Sequence, residues 1–164
     1  MRCLIALTGL MLLAAPTYAQ SIGEAFASIG TMVAGDDPSQ RSLAIGGEKI
    51  DASGIAGGGD FLVMFGRTRP RPKYPNGQSY RQYVLSGMIG GHWQRARGLA
   101  PFLNGGLSYV TDPDCCGPLI GWNVGGGANY WFSGHFGVRT DARLVLAFRG
   151  EGGLAMVRLG MAFR

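Results

Sequence analysis

The sequence predicts an all-β fold, an eight-stranded antiparallel up-and-down barrel, on three observations. Apolar and polar residues alternate one by one over long stretches, glycine is abundant at 29 of 164 residues, and short and long connections follow one another in turn. Strand side chains point alternately to opposite faces, so a period of two marks a strand. Each glycine costs about 1 kcal/mol inside a helix, which argues against long helices anywhere.

Taken in order, residues 25–34 and 42–50 carry the weakest alternation. The third strand sets Phe61, Val63 and Phe65 against Asp60, Leu62 and Met64. In the fourth, Tyr83, Leu85, Gly87, Ile89, Gly91 and Trp93 oppose Gln82, Ser86, Met88, Gly90 and His92. The fifth, over 99–110, turns Leu103, Leu107 and Tyr109 one way and Asn104, Gly106 and Ser108 the other. The sixth spans 120–132, with Trp122, Val124, Tyr130 and Phe132 opposite Asn123, Asn129 and Trp131. The seventh, HFGVRTDARLVLAFR over 135–149, is the clearest. Phe136, Val138, Thr140, Ala142, Leu144, Leu146 and Phe148 share one face, and Arg139, Asp141, Arg143 and Val145 the other. A helix would put Arg139 and Arg143 among Val138, Ala142 and Leu146, with no amphipathic stripe. The eighth, over 154–164, sets Ala155, Val157, Leu159, Met161 and Phe163 against Met156, Arg158, Gly160, Ala162 and Arg164.

The connections fall into two classes. QRARG, SG and the region around DASG are short, whereas GDDPSQ, RPRPKYPNGQ and TDPDCCGP are longer and rich in Pro, Asp and Gly. The seventh connection, around 150–153, is short for its side. This alternation of rims is the habit of a membrane-spanning meander closed into a barrel, with short turns inside and longer loops outside.

In a soluble barrel the apolar face fills the interior and the arginines lie outside. In a membrane barrel the arrangement inverts. Three features favour inversion: strands of about 9 to 13 residues, aromatics such as Trp93, Tyr130, Phe132, Phe136 and Phe163 at strand ends, and a polar face bearing charges of both signs. Eight strands enclose only enough space for side chains. The expected interior is therefore a polar core in which Asp60, Arg139, Asp141, Arg143 and Arg158 pair, because an unpaired buried charge is costly. Asp141, two residues from both Arg139 and Arg143, is expected to stand between them.

The N-terminus reads as a secretory signal peptide over 1–19: Arg2, an apolar run over 4–15, and a small-residue cleavage site ending at Ala19. That run is shorter than the roughly 20 residues a spanning helix needs. Residues 20–164 then form one barrel domain. Cys3 leaves with the signal, and the net charge of +5 falls by one with Arg2. Export and the absence of a basic helix exclude nucleic acid as a target.

The run GWNVGGGANYWFSGHFGVRTDARL, preceded by APFLNGGLSYV and followed by GMAFR, resembles the small outer-membrane β-barrel proteins of Gram-negative bacteria, the OmpA/OmpX-like group. The resemblance extends from about Tyr80 to the C-terminus and is thin before Ile55. It implies an eight-stranded barrel in the outer membrane without an enzymatic site. The partners it implies are outer-membrane lipids, lipopolysaccharide and the barrel assembly machinery, and the expected state is a monomer. Such barrels usually end in an aromatic residue read during insertion; here Phe163 is followed by Arg164.

Few motifs carry chemistry. Cys115 and Cys116 are adjacent in a loop, where they form either a loop-stiffening disulfide or a redox or metal site. A zinc site needs about four ligands, and no histidine shares that loop. His92 and His135 fall near turns without an evident Ser or Asp partner, and read as structural. The GGG runs at 57–59 and 125–127 lack the Lys-Ser and helix of a phosphate loop, so they read as strand glycines. RTRPRPK, with Arg67, Arg69, Arg71 and Lys73, is either a solvated loop or a contact for lipopolysaccharide phosphates. No catalytic, cofactor or metal set emerges. Two function classes remain: a non-enzymatic outer-membrane barrel serving envelope integrity, surface interaction or limited small-solute passage, and a soluble secreted barrel binding a small apolar ligand.

Overall fold

The computed structural model describes residues 21–34, 40–67, 79–93, 97–111, 118–148 and 153–164. Its strands are β1 (Ile22–Ala34), β2 (Arg41–Ile50), β3 (Ile55–Arg67), β4 (Ser79–His92), β5 (Gly98–Thr111), β6 (Leu119–Trp131), β7 (Phe136–Ala147) and β8 (Gly153–Phe163). Each pairs with its sequence neighbour, and β8 returns antiparallel to β1 to close the barrel. The signal-peptide segment 1–19, Cys115, Cys116, Arg69, Arg71 and Lys73 lie outside the described residues, as does the side chain of Arg67.

The first two strands are as regular as the others, with ten consecutive pairs from Ile22↔Ile50 to Thr31↔Arg41. Their pattern is faint because small residues occupy both faces: Ala25 and Ala27 point outward, Ser28 and Gly30 inward. β3 begins well before Asp60, so the glycines at 57–59 lie within it, and those at 125–127 lie within β6. A register shift between Met32 and Ala34 bends β1 where it leaves β8.

The β2–β3 turn shows why its residues are what they are. Gly54 adopts φ 89°, a left-handed conformation that glycine enters without penalty. An added Cβ there would also meet the His92 carbonyl oxygen at 2.5 Å. Asp51 Oδ1 accepts hydrogen bonds from the Ser53 and Ile55 amides at 2.9 Å each and from the Ser53 hydroxyl at 2.6 Å. These bonds, the Ser53 hydroxyl first, hold the exposed Asp51 carboxyl below the ordinary aspartate range.

The outer wall is apolar. Ile29, Ile45, Ile89, Leu103, Val124, Leu144 and Leu159 are all exposed. Aromatics ring both ends: Trp93, Tyr130, Phe132, Phe136 and Phe163 at the short turns, and Phe65, Tyr83, Tyr109, Trp122 and Phe148 at the long connections. The interior departs from the expected uniformly polar core and is stratified. Met32, Leu62, Met64, Val84, Val110, Val145 and Met156 pack together at the long-connection end. Phe26, Met88, Ala100, Trp131 and Ala162 cluster towards the short turns. Alternation assigns a face but not a height. Inward aliphatic and methionine side chains cap the long-connection end, and towards the short turns Phe26 and Trp131 lie among the charges, an arrangement that keeps water from competing for them.

Candidate functional site: a charge chain across the lumen

β7 delivers Arg139, Asp141 and Arg143 inward at every second position, and β8 delivers Arg158. All four are buried, together with Asp60 from β3, Glu48 from β2 and Glu24 from β1. Asp60 is the central acid. Its Oδ2 accepts from Arg143 Nη1 and Arg158 Nη1, each at 2.7 Å. Arg158 Nε donates in turn to Asp141 Oδ1 at 2.8 Å. Asp141 Oδ2 lies 3.7 Å from Arg139 Nε, and Arg139 Nη2 lies 2.7 Å from Glu48 Oε1. Glu48 Oε2 meets His92 Nε2 at 2.8 Å. The result is a continuous path of alternating sign, Arg143–Asp60–Arg158–Asp141–Arg139–Glu48, that ends on the His92 imidazole and runs through β7, β3, β8, β2 and β4.

All five charges singled out in the sequence face this lumen and pair with one another there, but of the two contacts along β7 expected of Asp141 only that with Arg139, at 3.7 Å, is made. Asp141 does not bridge Arg139 and Arg143. It pairs with Arg158, its direct register partner on β8, while Arg143 reaches across to Asp60. Geometry explains the choice. Residues two apart on one strand are about 6.6 Å apart, whereas directly opposed cross-strand side chains start about 4.5–5.5 Å apart. An arginine also spans a narrow lumen more readily than it folds back on its own strand.

Arg139 is held differently from the other two arginines. Its guanidinium carbon lies 4.2 Å from the Phe26 ring centroid and 4.0 Å from that of Phe102. It is clamped between two aromatic faces, an arrangement that favours a planar cation. Its contact with Glu48 is an ion pair and not a directed hydrogen bond, since none of its three guanidinium nitrogens has a hydrogen-bond partner of good geometry. Phe102 also stacks on the His92 ring at 5.1 Å and 14°, tying the end of the chain to the same clamp.

A second pair closes the short-turn end. Glu24 accepts from Asn129 Nδ2 at 2.8 Å and from Arg164 Nε at 2.9 Å, and Arg164 lies over the Trp131 ring at 3.9 Å. A neutral relay of Ser86, Ser108 and Asn123 joins β4, β5 and β6, with Ser86 and Ser108 hydroxyls 2.8 Å apart and Asn123 donating to Ser108 at 2.9 Å. Where β1 passes Arg158, Gly30 leaves room for it: a Cβ there would come within 2.8 Å of Arg158 Cγ and 2.9 Å of Ser42 Oγ.

Parity put Asn129 and Arg164 on the inner face, but sequence reading missed Glu24, Glu48 and both clamp phenylalanines. The signal was parity: Glu48 shares its side with Ser42 and Ala44, and Glu24 with Phe26. The inward charges also divide by sequence. Among the described side chains, β1–β4 contribute the carboxylates Glu24, Glu48 and Asp60 and no inward arginine. β5–β8 with the last residue contribute Arg139, Arg143, Arg158 and Arg164 against the single acid Asp141. Outside the network, exposed His135 sits in the β6–β7 turn, where its carbonyl accepts the Arg164 amide at 3.0 Å. Phe163 faces outward and meets Phe136 edge-on at 5.6 Å.

No protein-family model matches the sequence, and no curated protein sequence does. Solved structures do match its fold. The N-terminal β-barrel domain of Pseudomonas aeruginosa OprF superposes with TM-score 0.58 and 18% identity over 88% of this chain and 97% of that one. A de novo designed transmembrane β-barrel gives 0.56 and 14%, covering 91% and 98%. Neisserial surface protein A gives 0.56 and 12%, covering 87% and 92%. At these identities the likeness is one of fold. With an apolar belt outside and charges inside, this is the eight-stranded up-and-down fold of transmembrane barrels.

Proposed function

We propose that this chain is a non-enzymatic integral barrel of the outer membrane, exported by its signal peptide, monomeric, and serving envelope integrity and surface contact instead of solute flow. One observation carries the reading: among the described residues seven charged side chains are buried in the lumen, while a belt of large apolar side chains is exposed to the surroundings. A soluble carrier of an apolar ligand needs the opposite sorting. Envelope support is favoured over passage because ion-paired side chains cross the lumen and an apolar cluster fills its long-connection end. On this reading the partners are outer-membrane lipids and the assembly machinery, with Phe163 as the C-terminal insertion signal, and no cofactor takes part.

Cell fractionation tests it. The expected result is recovery in the outer-membrane fraction as a band whose mobility changes on boiling. Recovery as a freely soluble periplasmic protein overturns the membrane reading in favour of the soluble carrier. In planar bilayers the purified chain is expected to pass no steady current; a stable conductance replaces envelope support with limited small-solute passage.

A further inference from the structure

Charge on the outer wall obeys a different rule from charge in the lumen. Among the described strand residues every carboxylate points inward, and the outward ionic side chains are all basic: Arg41, Lys49 and Arg81. Lys49 lies at the short-turn end. The two arginines lie together at the other end, because the register that pairs Arg41 with Phe65 also pairs Phe65 with Arg81. One row across β2, β3 and β4 therefore reads Arg41, Phe65, Arg81. With strands about 4.8 Å apart, the two arginine backbones are about 10 Å from each other. Arg81 leans over the Phe65 ring at 5.9 Å.

The depth of this row is as telling as its charge. Phe65 belongs to the aromatic ring at the long-connection end, the level at which such girdles meet lipid headgroups. Neither arginine has a carboxylate partner among the described residues. A guanidinium at that level finds phosphate oxygens as its natural counter-ion and binds them by paired donors.

We propose that the row Arg41–Phe65–Arg81 is a seat for a phosphate-bearing lipid headgroup of the outer leaflet, the two arginines straddling the phosphate and Phe65 carrying the apolar part beneath it. The seat rests on the membrane reading of the previous section. It lies on β2, β3 and β4, and Arg67, the first residue of the basic segment singled out in the sequence, ends β3 two positions beyond Phe65.

The test uses the full chain refolded into phosphatidylcholine vesicles with and without a bisphosphorylated glycolipid, followed by mass spectrometry of lipid retained on the extracted barrel. An arginine near an anionic surface contributes roughly a five-fold preference, so the pair contributes roughly 25-fold. The expected result is preferential retention of the phosphorylated lipid, lost by about that factor in R41Q/R81Q, lowered about five-fold in either single variant, and kept in K49Q at the opposite rim. High salt should weaken it in the wild type. Equal retention by R41Q/R81Q and wild type overturns the seat while leaving the membrane reading intact. Failure of the wild type to insert, shown by complete protease digestion and no heat-modifiable band, brings down both.

Discussion

β7 builds two walls from the same twelve residues. Its inner side carries Arg139, Asp141, Arg143 and Val145, all buried, and its outer side Thr140, Ala142, Leu144 and Leu146, all exposed. On the inside, charge is admitted provided each group meets an opposite one. On the outside, a charge in the middle of the wall has nothing to meet, and the outward bases lie near strand ends instead. Position along the strand hardly matters to the distinction; a shift of one residue exchanges one regime for the other.

The largest effect should come from removing an acid that serves two bases. Asp60→Asn takes from Arg143 its acid and leaves Arg158 with Asp141 alone, and breaking a buried pair from one side costs about 3–5 kcal/mol. Urea unfolding of the refolded barrel should show this loss; a change no larger than that of an exposed substitution would mean that water in the lumen carries the arginines.

The outer wall answers with Leu144→Arg, expected to cost about 2–4 kcal/mol in bilayer-inserted protein. Its inward neighbour sharpens the contrast. Val145 faces the lumen among Met64, Val84 and Met156, but its direct cross-strand partner is the buried Asn123, so an amide at 145 has an amide opposite it and Val145→Asn should cost no more than about 1 kcal/mol in the same assay. A Val145→Asn as costly as Leu144→Arg would erase the contrast between the two walls.

A double-mutant cycle separates the pairings. Asp141→Asn with Arg158→Gln should show coupling of about 0.5–3 kcal/mol, the double variant losing less than the sum. Asp141→Asn with Arg143→Gln should be nearly additive, because Arg143 turns to Asp60. The reverse pattern would restore the along-strand ladder.

The smallest effect lies outside both walls. The Asp51 carboxyl is held below its ordinary range by the turn, so its contribution is complete above that range and fades as pH falls through the lowered value. Asp51→Asn should therefore make the thermal midpoint slightly less sensitive to acidification below the aspartate range. An unchanged acid dependence would assign that sensitivity wholly to the lumenal carboxylates.

These walls were legible in the sequence to different degrees. Parity alone placed Arg139, Asp141, Arg143, Arg158 and Asp60 on the inner face, because the residues that alternate with them on β7, β8 and β3 are mostly apolar. It failed to show their partners. Which acid meets which base depends on the closure of β8 onto β1 and on the reach of side chains across the lumen, and neither is a local property. Glu48 and His92 are separated by 44 residues, and Arg158 and Asp60 by 98. The Phe26–Phe102 clamp was hidden for a further reason. An inward phenylalanine among charges reads as a break in the pattern until the cation it flanks is seen in place.

The division of inward charge between the two halves of the chain bears on how the barrel closes. A hairpin from the first half presents acids to the lumen, and a second such hairpin presents the same sign, so two first halves repel along the surface they would have to share. The same holds for two second halves with their arginines. Only unlike halves neutralise one another, and the nearest unlike half is always the one on the same polypeptide. Closure is thus biased against joining two like halves from different copies, and the intramolecular seam, where unlike halves meet at the highest local concentration, is favoured during assembly.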